Sequence, residues 1–209
     1  MTKHYDIPVI YEDDDIVAVD KPAGLLSVPG RGPEKADSAQ SRIAAICPGA
    51  IAIHRLDMCT SGLMLIAKHK DAERHYKRQF EERRVEKTYY AIVHDCPEPQ
   101  VGSIALPLIA DWPNRPRQKV CYETGKPALT HYEVIASGDG RSRVRLTPHT
   151  GRSHQLRVHL MAIGHPIIGD NLYGHESDKY EARLHLHAAA LSIHTPQNQL
   201  LDLNAPLPF

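Results

Sequence analysis

Cysteine is scarce. Only Cys47, Cys59, Cys96 and Cys121 occur, with no C-x-x-C pair. That argues against a zinc ribbon and a dithiol redox motif, and for a reducing, cytoplasmic setting. No run of about 18 apolar residues is present, so no transmembrane helix and no membrane partner are expected. The start, Met1 to Asp6, has no apolar stretch and is not expected to be a secretory leader. There is no P-loop and no dinucleotide-binding glycine pattern, so no nucleotide cofactor is expected. Net charge is lacking too: 25 Lys and Arg balance 25 Asp and Glu. What is present is a globular composition. With 42% hydrophobic and 24% charged residues, a disordered chain is excluded, and 209 residues can bury a core without disulfide or metal staples. The length fits one domain over 1–209.

The zero net charge conceals a segregation. Residues 1–20 carry six acids against Lys3 alone, whereas residues 115–160 carry nine bases against Glu123, Glu133 and Asp139. A local surplus of that size can bind a polyanion, although a solvated charged surface has the same composition.

Val9–Tyr11 and Ile16–Val19 are β-branched runs about the acidic turn 12–15, the pattern of a hairpin. Ser38 is placed to cap a helix that stops at Pro48-Gly49. Ile51–Ile53 and Leu63–Ala67 predict strands, with the polar residues 54–62 at the junction between them. A rigid scaffold can hold a reactive group at such a junction. Asp71 is placed to cap a helix to about Glu82, with Ala72, Tyr76 and Phe80 on its buried face. Lys87–Val93 predicts a strand, and the proline-rich 97–127 an irregular segment that holds the lone tryptophan, Trp112. Strands follow at about 129–136 and 142–147. In the second, Arg143 and Arg145 alternate with Val144 and Leu146, giving one basic and one apolar face. Gly151 precedes a helix to Ile163, closed by Gly164, and a hairpin from Leu184 to Leu203 ends the chain. These elements make an α/β (α+β) fold around a largely antiparallel mixed sheet flanked by helices and loops.

Asp57 is the sharpest candidate for chemistry. It follows a strand, is flanked by Arg55, and precedes Thr60-Ser61-Gly62, whose donors can orient a carboxylate. A lone aspartate in a turn is equally a turn former. Fourteen histidines raise the question of a metal. His154 and His159 are five residues apart, on different helix faces, and His185 and His187 lack a third ligand, so none is expected. Cys59 reads as a small turn-filling residue.

The full constellation resembles one family. His54-Arg55-Leu56-Asp57-Met58-Cys59-Thr60-Ser61-Gly62-Leu63 resembles the H-R-L-D-x-x-T-S-G signature of the RluA family of pseudouridine synthases. Lys21-Pro22-Ala23-Gly24-Leu25 is similar to its K-P-x-G element, and Lys87-Thr88-Tyr89-Tyr90-Ala91 to its K-x-Y-x-A element. Gly151 to His159 resembles its G-R-x-H-Q-[IL]-R-x-H element, and Gly164 to Asp170 follows in order. Ser27–Arg31 and Asp111–Ala128 are similar to compact members of the family. Larger relatives carry an N-terminal S4-type RNA-binding domain, which is not expected here, since the first strand begins at about residue 7.

The resemblance implies a single catalytic domain with its cleft across the sheet. It implies an isomerase that turns uridine into pseudouridine in structured RNA. The implied partners are 23S ribosomal RNA (rRNA) and tRNA anticodon stem-loops, with no DNA, and a monomer is the default. The reaction detaches uracil from C1′, turns it and rejoins it through C5, with no redox step and no cofactor. Asp57 is the implied carboxylate, acting at C1′, at C6 or on the C2′ proton; the sequence leaves these three open. Arg157 is its expected ion-pair partner, with a phosphate clamp on a basic helix as the alternative. Tyr89 is expected to stack on the uracil and to take the C5 proton, with Tyr90 left to packing on the opposite face. The target must leave the stack, and Arg55 is placed to fill the gap. Arg115, Arg117, Lys119, Arg143, Arg145 and Arg152 are the expected phosphate contacts. Two other readings stay open at this point: a non-catalytic RNA-binding or ribosome-assembly protein on the same scaffold, and a uracil-releasing hydrolase.

Overall fold

The structure is a computed structural model and describes residues 5–209. Lys3, and most of the segment read for a leader, lie outside the described residues. In chain order the elements are β1 (Val9–Glu12), β2 (Ile16–Lys21), α1 (Ala39–Ala44), β3 (Ile51–Ala52), β4 (Ser61–Ala67), α2 (Lys70–Glu81), β5 (Glu86–His94), β6 (Val101–Ile104), β7 (Leu108–Ala110), β8 (Gln118–Val120), β9 (Thr130–Gly138), β10 (Arg141–Pro148), α3 (Gln155–Ala162), β11 (Leu186–His194) and β12 (Leu200–Asn204). The chain folds into two compact units. One comprises the residues up to Lys87 with Ala188–Pro208, the other Thr88–His187 with Phe209. Both are mixed α/β.

In the first unit the strand order is β1-β2-β4-β11, with β12 on β11 and β3 on β4. The acidic turn between β1 and β2 has a local cause. The Asp13 carboxylate accepts the amides of Asp15 (2.8 Å) and Ile16 (2.7 Å) and so closes the hairpin. All seven residues of β4 are buried, as its unbroken apolar run requires. Ile16, Ala18, Leu63 and Leu65 form a core with Ala72 and Tyr76 of α2 and with Leu191 and Leu203 of the C-terminal hairpin. Ser38 caps α1 in a reciprocal box with Ser41. The cap of α2 differs from expectation. His69, not Asp71, is the N-cap, and its Nδ1 accepts the Ala72 amide at 3.3 Å. Asp71 instead lies inside the first turn, where an acid still favours the positive end of the helix dipole.

In the second unit the order is β5-β10-β9-β6, and β7 pairs β8 as a separate hairpin. The segment 97–127 is therefore not wholly irregular. β6 joins β9 in antiparallel register, and three residue pairs hold β7 to β8. Runs of three or four residues are too short to show a period of two. Along β10, Ser142, Val144 and Leu146 are buried while Arg141 and Arg145 are exposed and Arg143 is half-buried, which matches the expected two faces. The helix expected from Gly151 begins at Gln155. The Gln155 side chain reaches back to accept the Arg152 amide (3.0 Å) and holds residues 151–154 in a turn, with His154 at φ +54°. Gly164, at φ +89°, ends the helix as expected.

Candidate active site

The Asp57 turn is gripped at the backbone on both sides. Before it, the buried Ser27 hydroxyl donates to the Leu56 carbonyl (2.7 Å) and accepts the Leu56 amide (2.9 Å). One side chain thus does what a neighbouring strand would do for that residue. After it, the Met58 carbonyl accepts the Gly24 amide (2.9 Å) and the Lys21 ammonium (3.1 Å). Lys21 is fully buried and donates also to the carbonyls of Pro22 and Leu25, so three oxygens share its charge. The K-P-x-G element therefore supports the Asp57 turn. The Thr60 amide closes that turn on the Asp57 carbonyl at 3.0 Å. Asp57 itself is half-buried, and Arg55 is exposed.

The entry to the turn is fixed by His54. Its Nε2 accepts the Leu65 amide at 3.1 Å, and its ring stacks on Phe80 with centroids 4.6 Å apart. Desolvation, with a smaller push from the Lys87 charge, lowers its pKa to about 3, so the ring is a neutral acceptor. Gly62 ends the motif at φ +113°, and a Cβ there would run into the Ala188 backbone, so the position requires glycine.

The second unit holds Tyr89 and Arg157. In the β5–β10 register Tyr89 lies opposite Leu146 and Tyr90 opposite Arg145. The two rings do take opposite faces, and both are half-buried. It is Tyr90 that shares the basic face of β10, because a cross-strand pair points to one side. Arg157 is not on a basic surface helix. Gln155 to Leu160 of α3 are all buried. Its guanidinium forms a bidentate pair with Asp170, Nε to Oδ2 and Nη2 to Oδ1, each 2.7 Å. A phosphate clamp on an exposed helix is thereby ruled out.

Asp170 was not singled out from the sequence. The signal was there: the apolar Leu156, Val158 and Leu160 bury α3, a buried arginine needs a carboxylate, and Asp170 is the first acid after it. Its Oδ1 also accepts the amides of Leu172 (2.9 Å) and Tyr173 (3.1 Å). Tyr173 was missed as well. Its ring lies 5.1 Å from the Arg157 guanidinium, and its hydroxyl contacts the Gln118 amide and His154 Nδ1, each at 2.7 Å. One tyrosine so ties α3 to the β7–β8 hairpin, over a small core of Leu108, Ala128 and Val158.

The expected phosphate contacts separate into two groups. Arg145 pairs with Glu133, and Lys119 with Asp111 at 3.3 Å. Arg152 donates to the Pro127 carbonyl at 3.2 Å, and Arg115 lies over the Trp112 ring. Among the described residues, Arg117 and Arg143 have no carboxylate partner within 4 Å, so a phosphate meets no competing ion pair there; the same holds for Arg55, expected to fill the gap of the flipped nucleotide.

Comparison with known proteins gives these features a chemistry. The family model for RNA pseudouridylate synthase matches residues 15–162, which include Lys21, Asp57, Tyr89 and Arg157. The chain belongs to that family. It is a pseudouridine synthase, an isomerase that converts uridine in RNA to pseudouridine. The dual-specificity RNA pseudouridine synthase RluA of Yersinia pestis is 56% identical over 191 residues, covering 90% of this chain and 93% of that protein. Its namesake from Escherichia coli strain K12 is 53% identical over 204 residues, covering 96% and 93%. Among solved structures, human RNA Pseudouridylate Synthase Domain Containing 1 superposes with a TM-score of 0.84 at 30% identity, covering 100% of this chain and 87% of its own. Neither the non-catalytic scaffold nor the hydrolase reading agrees with membership of this synthase family.

Proposed function

We propose that Asp57 is the carboxylate that opens the isomerisation, and that this synthase acts on two RNA classes, 23S rRNA and tRNA anticodon stem-loops. The observation that carries the first part is the backbone grip on the Asp57 turn from Ser27, Lys21 and Gly24. A group that must meet one atom of a bound nucleotide needs such preorganisation. The second part rests on the motif resemblance and on the relatives named dual-specificity synthases.

In the reaction the C1′–N1 bond breaks, the uracil turns, and a C1′–C5 bond forms. The C5 proton is lost and N1 gains one, so atoms balance without a cofactor. In this reading Tyr89 stacks on the uracil and relays the C5 proton, its oxygen taking that proton as its own hydroxyl proton passes to water, Arg157 favours the ionised carboxylate, and the exposed Arg55 fills the place of the flipped nucleotide. Arg115, Arg117, Lys119, Arg143, Arg145 and Arg152 meet phosphates, with the affinity falling as salt rises. The enzyme works as a cytoplasmic monomer. Tritium release from RNA labelled at uridine C5 tests the assignment. Asp57→Ala should release none above background, and Asp57→Asn should also be inactive while binding RNA as the parent does. Normal release by Asp57→Ala would remove the aspartate from the mechanism.

A further inference from the structure

At the tip of the β7–β8 hairpin an indole faces water. Trp112 is 65% exposed, although apolar side chains of its size usually find cover. The Arg115 guanidinium sits over the ring, 3.2 Å from its centroid. With that face occupied, the remaining exposure belongs to the other face and the edge.

The tip is rigid. The Asp111 amide donates to the Arg117 carbonyl (2.9 Å), the Asn114 amide to the Asp111 carbonyl (2.9 Å) and the Arg117 amide to the Asn114 carbonyl (3.0 Å). The Asn114 side chain donates to the Asp111 carboxylate at 2.9 Å. Pro113 and Pro116 remove further freedom. The ladder pair next to the tip, Ala110 with Gln118, is anchored by the Gln118 amide, which donates to the Tyr173 hydroxyl.

We propose that Trp112, backed by Arg115, is a stacking platform for an unpaired nucleobase of the RNA substrate. The ring supplies a flat apolar face that accepts any base, and the cation behind it strengthens the indole's pull on a base above. Charge selects the occupant. Arg115, Arg117, Lys119 and Lys126 crowd the segment 111–126 against Asp111 and Glu123 alone, so a base carrying its own phosphates fits and an apolar peptide does not. Tyr122, 77% exposed in the turn after β8, is a second uncovered ring in this segment. The platform lies in the hairpin and touches no group assigned to the chemistry, so it sets which stem-loops are held rather than how uridine is rearranged. The proposal rests on the reading that the substrate is a folded RNA with unpaired loop nucleotides.

Trp112 is the chain's one tryptophan, so its fluorescence reports this site alone. An RNA anticodon stem-loop should quench it on titration. Trp112→Ala should weaken binding of the same RNA, read by anisotropy of a labelled strand, by roughly 5- to 150-fold, as the loss of one stacked base predicts. Trp112→Phe should stay within a few-fold of the parent. Replacing loop nucleotides one at a time by abasic residues should reveal one position at which Trp112→Ala no longer matters. If the parent releases tritium from C5-labelled RNA normally while fluorescence stays constant at saturation and Trp112→Ala binds as tightly, the platform fails and the substrate reading stands. If the parent neither binds nor turns over the stem-loop, both fail.

Discussion

Asp57 and Ser27 are thirty residues apart, yet the second decides where the first can reach. Removing the Ser27 hydroxyl leaves a buried amide and a buried carbonyl of Leu56 without their partner. A buried polar group so stranded costs on the order of 1–3 kcal/mol. Ser27→Ala should therefore lower the unfolding free energy by about that amount, and should lower kcat more than it raises KM, since the turn loosens without losing a phosphate contact. Ser27→Thr keeps the hydroxyl and should restore kcat. A variant with lowered stability and an unchanged kcat would reduce Ser27 to a purely structural part. Asp57 itself was legible because its motif is contiguous: nine residues, His54 to Gly62, running from just after β3 into the start of β4, carry the resemblance. Ser27, Asp170 and Tyr173 were not, because their roles arise from pairings with Leu56, Arg157 and Gln118, and a single sequence carries no local period for a pairing between distant segments.

Elements were read well where their pattern was long and poorly where it was short. β4, α2 and β10 announced themselves by an unbroken apolar run, a helical stripe and a strict alternation. β7 and β8 did not, since three residues between prolines hold no periodic signal. Yet this hairpin carries Arg117 and Lys119, and beside its packing on Leu108 and Val158 the Tyr173 hydroxyl meets its Gln118 amide. Tyr173→Phe keeps the ring beside Arg157 but deletes the oxygen that contacts the Gln118 amide and His154. The expected result is local. Hydrogen exchange at the Gln118 amide should quicken by at least tenfold, the worth of a hydrogen bond of about 1.4 kcal/mol, while β9 and β10 keep their protection. RNA affinity should fall with it, because the basic residues of the hairpin lose their fixed positions. An unchanged Gln118 exchange rate would mean that the Leu108 and Val158 packing alone holds the hairpin down.

Across the chain as a whole, charge and protonation are divided in a way the net value of zero hides. The acids of β1, β2 and their turn belong to the first unit and the bases of 115–157 to the second. Each unit also encloses a neutral imidazole. Burial lowers His54 to about 3 in the first and His187 to about 4 in the second, and His159 is lowered for the same reason. The ordinary histidine value is near 6.5. Below it the unfolded chain takes up protons that the folded chain refuses, so the stability from these groups is whole above about pH 6.5 and is lost as pH falls towards 4. Each such histidine contributes a slope of about 1.4 kcal/mol per pH unit, so His54 and His187 together give roughly 2–3 kcal/mol per unit between pH 6 and 4.5. Below pH 4 the lowered carboxyls of Asp37, Glu73 and Asp178 add to the same trend, since they too must be protonated against their partners. Urea unfolding at half-unit pH steps reads the slope directly as a proton difference. His54→Gln keeps an acceptor for the Leu65 amide but cannot titrate, so it should flatten the slope by about one proton. A stability that holds level from pH 6.5 to 4.5 in the parent would mean that the buried histidines gain protons as readily as the unfolded chain does.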